Sequence, residues 1–128
     1  MSYLPTLVPE LSMVGVVDAG IPNRERILLR PTQTTQLSAF TLSVGLYDPA
    51  TGGARPLFDN IYWFPEKLVV PPSWIIVFTA PGEPRDVTLE NGEQGHTFFW
   101  QRRTTIFNDA RLVPVLLRIG GAIVGPRL

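Results

Sequence analysis

The sequence predicts an all-β fold, an antiparallel β-sandwich of seven to nine short strands. Three observations predict it. Short apolar and β-branched runs recur at spacings of about ten residues, each closed by glycine, proline, asparagine or aspartate. The longest run, residues 37–47, sets Phe40, Leu42, Val44 and Leu46 on one face and the more polar Thr41, Ser43 and Gly45 on the other. No window repeats its apolar residues at helical spacing for long enough to build an amphipathic helix.

The elements follow in order. Residues 1–11 hold Pro5 and Pro9 without alternation and read as an extended arm. Residues 12–128 form the single domain. Residues 12–18 (SMVGVVD) make the first strand, the loop 18–23 carries Gly, Pro and Asn, and residues 25–30 (ERILLR) resume the strand until Pro31 stops it. After the strand 37–47, the run Asp48-Pro-Ala-Thr-Gly-Gly53 is the strongest turn signal. Residues 60–63 and 68–70 flank Phe64-Pro65-Glu66, and residues 73–79 (SWIIVFT) have the β-branched and aromatic content of a buried strand. A weak segment surrounds Val87. Residues 96–101 and 112–119 are two further strands, Pro114 marking an edge or bulge. Gly120-Gly121 turns the chain into a closing hairpin arm at residues 122–124. The expected core is Val16, Ile27, Leu29, Phe40, Leu42, Ile75, Val77, Phe99, Val115, Leu117 and Ile123.

Composition narrows the chemistry. The chain has 128 residues, 45% of them hydrophobic, which suits one compact domain and excludes a disordered chain. It has no cysteine, so disulfides, thiolate catalysis and cysteine-ligated metals are out, and its one histidine, His96, rules out a multi-histidine site within one chain. Eleven basic residues balance eleven acidic ones, which argues against a protein held on nucleic acid by its overall field. Locally, residues 94–128 carry five arginines against Asp109 alone; these arginines are expected on solvated faces or paired with acids of residues 83–93. The apolar stretch 68–80 is shorter than the roughly 20 residues of a spanning helix and contains Pro71 and Pro72, so no membrane insertion is expected. Residues 1–17 lack a basic start and are broken by Pro5, Pro9 and Glu10, so no export signal is read and a cytoplasmic location is expected.

Three segments in order resemble the lamin-tail domain. Glu25-Arg-Ile-Leu-Leu-Arg30 followed by Leu37-Ser-Ala-Phe-Thr-Leu42 is similar to that family's glutamate-led strand and the strand after it. Trp63-Phe-Pro65, Leu68-Val-Val-Pro71 and Trp74-Ile-Ile-Val-Phe-Thr79 resemble its aromatic-proline element, turn and following strand. Phe99-Trp100, Ile106-Phe-Asn-Asp109, Val115-Leu-Leu117 and Gly121-Ala-Ile-Val124 resemble its tryptophan strand, its Trp-Asn-Asp loop and its closing hairpin. Pro72-Ser73 stands in place of the turn glycine, Phe107 in place of the tryptophan, and Ala110-Arg111 in place of the Gly-Asp that follows. The resemblance spans residues 25–124 and implies an immunoglobulin-like sandwich that serves as a recognition or assembly module without catalysis of its own.

Reactive groups are sparse. His96 would have to be the base of any Ser-His-Asp arrangement, yet no G-x-S-x-G elbow supplies a nucleophile. No glycine-rich phosphate loop occurs. Glu90 and Glu93 sit in a glycine-rich loop where solvated acids are the rule, and Asp48, Asp59, Asn60, Asn108 and Asp109 lack calcium-loop spacing and read as turn openers. No catalytic residue, metal site or cofactor is therefore expected. Tyr62-Trp63-Phe64 and Phe98-Phe99-Trp100 are different: alternation forces at least one aromatic outward in each triplet. Tyr62, Trp63, Trp100, Arg102, Arg103 and Asn108 are the candidate interaction surface. A protein partner or self-association is the favoured use. The alternatives are a structural role in a phage or secretion particle, and binding of nucleic acid or a small ligand by aromatic stacking and arginine.

Overall fold

The computed structural model describes residues 7–128. Among the described residues ten strands form: β1 (Leu11–Val17), β2 (Arg26–Pro31), β3 (Thr35–Gln36), β4 (Phe40–Asp48), β5 (Gly53–Trp63), β6 (Leu68–Val69), β7 (Ser73–Phe78), β8 (Arg85–Thr88), β9 (Gln94–Phe99) and β10 (Leu112–Arg118). A five-stranded sheet in the order β1-β2-β7-β9-β8 packs on a three-stranded sheet in the order β10-β4-β5, and β3 pairs with β6 as a short ribbon. The molecule is an all-β sandwich.

Alternation explains the packing. In β2 and β7, Ile27, Leu29, Ile75 and Val77 point inward, and from the opposing sheet Phe40, Leu42 and Val44 meet them. Phe64 fills the middle, edge-on to Tyr62 at 5.1 Å and to Phe98 at 5.4 Å. These T-shaped contacts add to the area the rings bury. Burial pushes the Tyr62 phenol up to about 12, because the charged form is denied water.

Several expectations are corrected. Not every strand pair is antiparallel: β7 and β9 run parallel, since the connection between them lays β8 along the sheet edge before returning. Residues 37–39 form a single 3-10 turn, with the Gln36 side chain accepting from Ser38 N–H, and β4 begins only at Phe40. β5 starts at Gly53, earlier than residue 60, and carries three extra residues, 58–60, opposite the step from Ser43 to Val44 in β4. Phe98 and not Phe99 enters the core. Val115 and Leu117 lie on the outer face of β10, with Leu112 and Leu116 inward. Residues 119–128 form no strand, and Ile123 is 99% exposed. The arm expected over residues 1–11 lies partly outside the described residues; Pro9 and Glu10 turn, and Leu11 already belongs to β1.

The sheet edges are blunted. β1 bulges between Met13 and Gly15, where Gly15 adopts φ +140°, a conformation that disfavours a side chain. β8 is four residues long and follows Pro84. β5 contains Pro56 and its bulge, and β10 contains Pro114. Proline offers no N–H to an approaching strand.

Candidate interaction surface

The three-stranded sheet has two unlike faces. Its inner face is the core described above. On its outer face the central strand β4 presents Thr41, Ser43 and Gly45, flanked in register by Trp63 and Ile61 from β5 and by Leu117, Val115 and Val113 from β10. Large side chains on both outer strands and small ones between them make two apolar ridges around a trough. Trp63 is 58% exposed, Ile61 56% and Leu117 44%, whereas Ser43 on the trough floor is only 2% exposed. The ridges therefore stand up into solvent. At Gly45 the neighbouring side chains close over the floor: a Cβ there would fall 2.8 Å from Val115 Cγ2 and 3.0 Å from the Ala54 Cβ. The Ser43 hydroxyl has no hydrogen-bond partner. Trp63 is held in its outward pose by an Nε1–H bond to the Ser38 carbonyl at 3.0 Å.

The residues singled out from the sequence are distributed across the molecule. Trp63 lies on this exposed face. Tyr62 points inward, with its ring 5.9 Å from that of Trp100, which is itself buried. An exposed aromatic patch around Trp100 is therefore not formed, because Phe98 and Trp100 turn in and leave only Phe99 to the outside. Arg102 donates its backbone N–H to the Thr79 carbonyl, and Arg103 is exposed at the same end. Asn108 is exposed in the loop before β10, where Thr105 Oγ1 donates to its Oδ1.

The outer face of the five-stranded sheet is differently occupied. Arg30 lies over the Trp74 ring at 4.3 Å and pairs with Glu93 at 2.6 Å. Arg26 lies near the Phe78 ring at 5.9 Å and pairs with Asp18 at 2.9 Å, while Phe78 stacks on Phe99 at 5.4 Å. Arginines of this chain already occupy the aromatic faces and are neutralised there. Of the two dispositions expected for the basic C-terminal third, Arg111 and Arg118 take the solvated one; their partners, Asp109 and Glu10, both lie outside residues 83–93.

Two polar nodes complete the picture, and sequence reasoning gave a role to neither. Glu25, fully buried, accepts from the backbone N–H groups of Ile106 and Phe107 and Gly20, and from the Thr79 hydroxyl, all within 3.0 Å. Every donor is a neutral backbone or hydroxyl group, and the node fastens loops to one another. At the β8 edge, Asp86 bridges His96 and Lys67 at 2.8 Å each, beside an open cleft of about 400 Å³ lined by Pro65, Glu66 and Phe98. The bond from His96, then that from Lys67, holds the Asp86 carboxyl below its ordinary value. No group of histidine, aspartate and glutamate among the described residues is arranged to hold a metal ion. No described helix is long and apolar enough to cross a membrane.

No family model, curated protein or solved structure matches this chain.

Proposed function

We propose that this chain is a non-enzymatic recognition and assembly module that acts by protein–protein contact through the outer face of its three-stranded sheet. The observation that carries the reading is the pair of apolar ridges, Trp63–Ile61 and Leu117–Val115, standing on either side of the Thr41–Ser43–Gly45 trough. Contiguous exposed apolar side chains of this kind mark contact surfaces, and tryptophan is among the commonest anchors in them. Covering each ridge residue contributes on the order of 1 kcal/mol, at about 25 cal/mol per Å² of apolar surface. The blunted edges favour contact through a face over strand addition. The occupied aromatic faces of the other sheet favour a protein over a nucleic acid.

A photo-crosslinking amino acid in place of Ile61 tests the reading in cells. A discrete protein adduct, lost when Trp63 is also changed to Arg, is the expected result. An adduct yield no higher than that from the same group at Thr88, an exposed position on β8, would rule the face out.

A further inference from the structure

The tryptophan of the exposed face is tethered within its own chain. Trp63 donates its Nε1–H to the Ser38 carbonyl at 3.0 Å, and Ser38 lies in the single 3-10 turn at residues 37–39. That turn is fastened from several sides. Leu37, fully buried, donates its N–H to the Lys67 carbonyl at 2.9 Å, and Phe40 N–H bonds the Leu37 carbonyl. The Gln36 side chain adds the remaining hold: its Oε1 accepts Lys67 N–H at 2.6 Å and Ser38 N–H at 3.4 Å. A single amide oxygen thus joins the chain at the β3–β6 ribbon to the residue whose carbonyl holds the indole.

We infer that Gln36 is a positioning residue for Trp63, fixing the indole on the exposed face before a partner arrives. The inference rests on the proposed use of that face and adds how its anchor is held and what the anchor can meet. Ser38 is the last link: its N–H is held by Gln36, and its C=O, in the next peptide unit, receives the indole. Ordering one large side chain on binding weakens a complex by roughly two- to tenfold, and a tethered indole avoids most of that loss. The tether also selects the partner's chemistry. Indole has one donor and no acceptor, and here the donor is already bonded within the chain. Trp63 therefore offers its ring alone, and the surface that complements it is an apolar pocket with no hydrogen-bond acceptor aimed at the indole nitrogen.

The indole N–H signals of the isotope-labelled full chain read the tether directly, the Trp63 signal being recognised by its absence from Trp63→Phe. Gln36→Ala should speed solvent exchange of the Trp63 Nε1–H by roughly two- to tenfold, the weight of one hydrogen bond. The indole of Trp100, buried in the core, should keep its rate, which separates a freed tether from a loosened fold. Gln36→Glu retains an acceptor oxygen for both N–H groups and should restore the parent rate. In cells, the crosslinker at residue 61 should give roughly two- to tenfold less protein adduct with Gln36→Ala, and the parent yield with Gln36→Glu. An unchanged Trp63 rate in Gln36→Ala would overturn the inference, as would equal acceleration at Trp63 and Trp100, or a freed indole with the adduct yield intact. In each of those cases an adduct from the parent would leave the proposed function standing, whereas no adduct from the parent would remove both.

Discussion

The carboxylate of Glu25 accepts the backbone N–H of Ile106 at 2.7 Å across 81 positions of sequence. Its second oxygen takes the N–H groups of Phe107 and Gly20, and Thr79 donates its hydroxyl to the first. One side chain thus ties the loop before β2, the end of β7 and the loop before β10 inside the fold. Removing it strands the two buried N–H groups of Ile106 and Phe107 and the part-buried one of Gly20. Glu25→Ala should cost about 3–5 kcal/mol in urea unfolding, and Glu25→Gln less, because the amide oxygen still accepts part of the set. A loss below about 1 kcal/mol for the alanine variant would show that the node is dispensable.

Neighbours Trp63 and Phe64 should behave oppositely. Phe64 is buried between Tyr62 and Phe98, so Phe64→Ala opens a cavity and should cost about 3–5 kcal/mol. Trp63 loses one exposed hydrogen bond and little packing, so Trp63→Ala should cost about 1 kcal/mol or less. Binding reverses the order: only the tryptophan variant should abolish crosslinking from residue 61 while the domain stays folded. Equal losses of stability for the two variants would mean that the indole is structural.

What was legible follows from this contrast. Phe40 and Leu42 were readable as core because Thr41 and Ser43 alternate with them, so the sequence carries a phase there. In β10 both faces are apolar, one against the core and one on the trough ridge, and period two vanishes from Leu-Val-Pro-Val-Leu-Leu; the phase was therefore misread at Val115 and Leu117. Consecutive aromatics have the same ambiguity. They require one ring outward, yet only the pairing of β5 with β4 and of β9 with β7 sets Trp63 and Phe99 out and Trp100 in. The trough itself has the plainest signal of all, Thr41, Ser43 and Gly45 in a row, which reads as a polar face until its flanking strands are known. The role of Glu25 left no local trace, since three of its four partners, Thr79, Ile106 and Phe107, lie far along the chain.

Gly82 packs against the ring of Phe99, and a Cβ there would come within 2.4 Å of it. The ring cannot retreat, because Phe78 stacks on it at 5.4 Å, and Gln101 clamps the Gly82 N–H and carbonyl from the side. Gly82→Ala should therefore cost about 1–3 kcal/mol by overpacking. Gly120→Ala, with nothing within 4 Å of the added methyl, should stay within about 0.5 kcal/mol of the parent. Thermal unfolding of the two variants side by side checks the difference, and equal transitions would mean that the 81–84 loop yields freely.

Acid should loosen the β8 edge through Asp86. Its bond to His96, and next its bond to Lys67, lowers the carboxyl below the ordinary 3.8. A carboxyl whose folded pKa lies below its unfolded one stabilises the fold above the unfolded value and loses that contribution as the pH falls through the folded value. Asp86 is half exposed, so solvent screening keeps the contribution below about 1 kcal/mol. Asp86→Asn should be less stable than the parent by that amount above about pH 5, and the gap should close as the pH drops below about 4. Parallel urea titrations across this range, with hydrogen exchange at Val87 as the local readout, decide the matter: a gap that stays constant with pH would assign the loss to packing and not to the charge of Asp86.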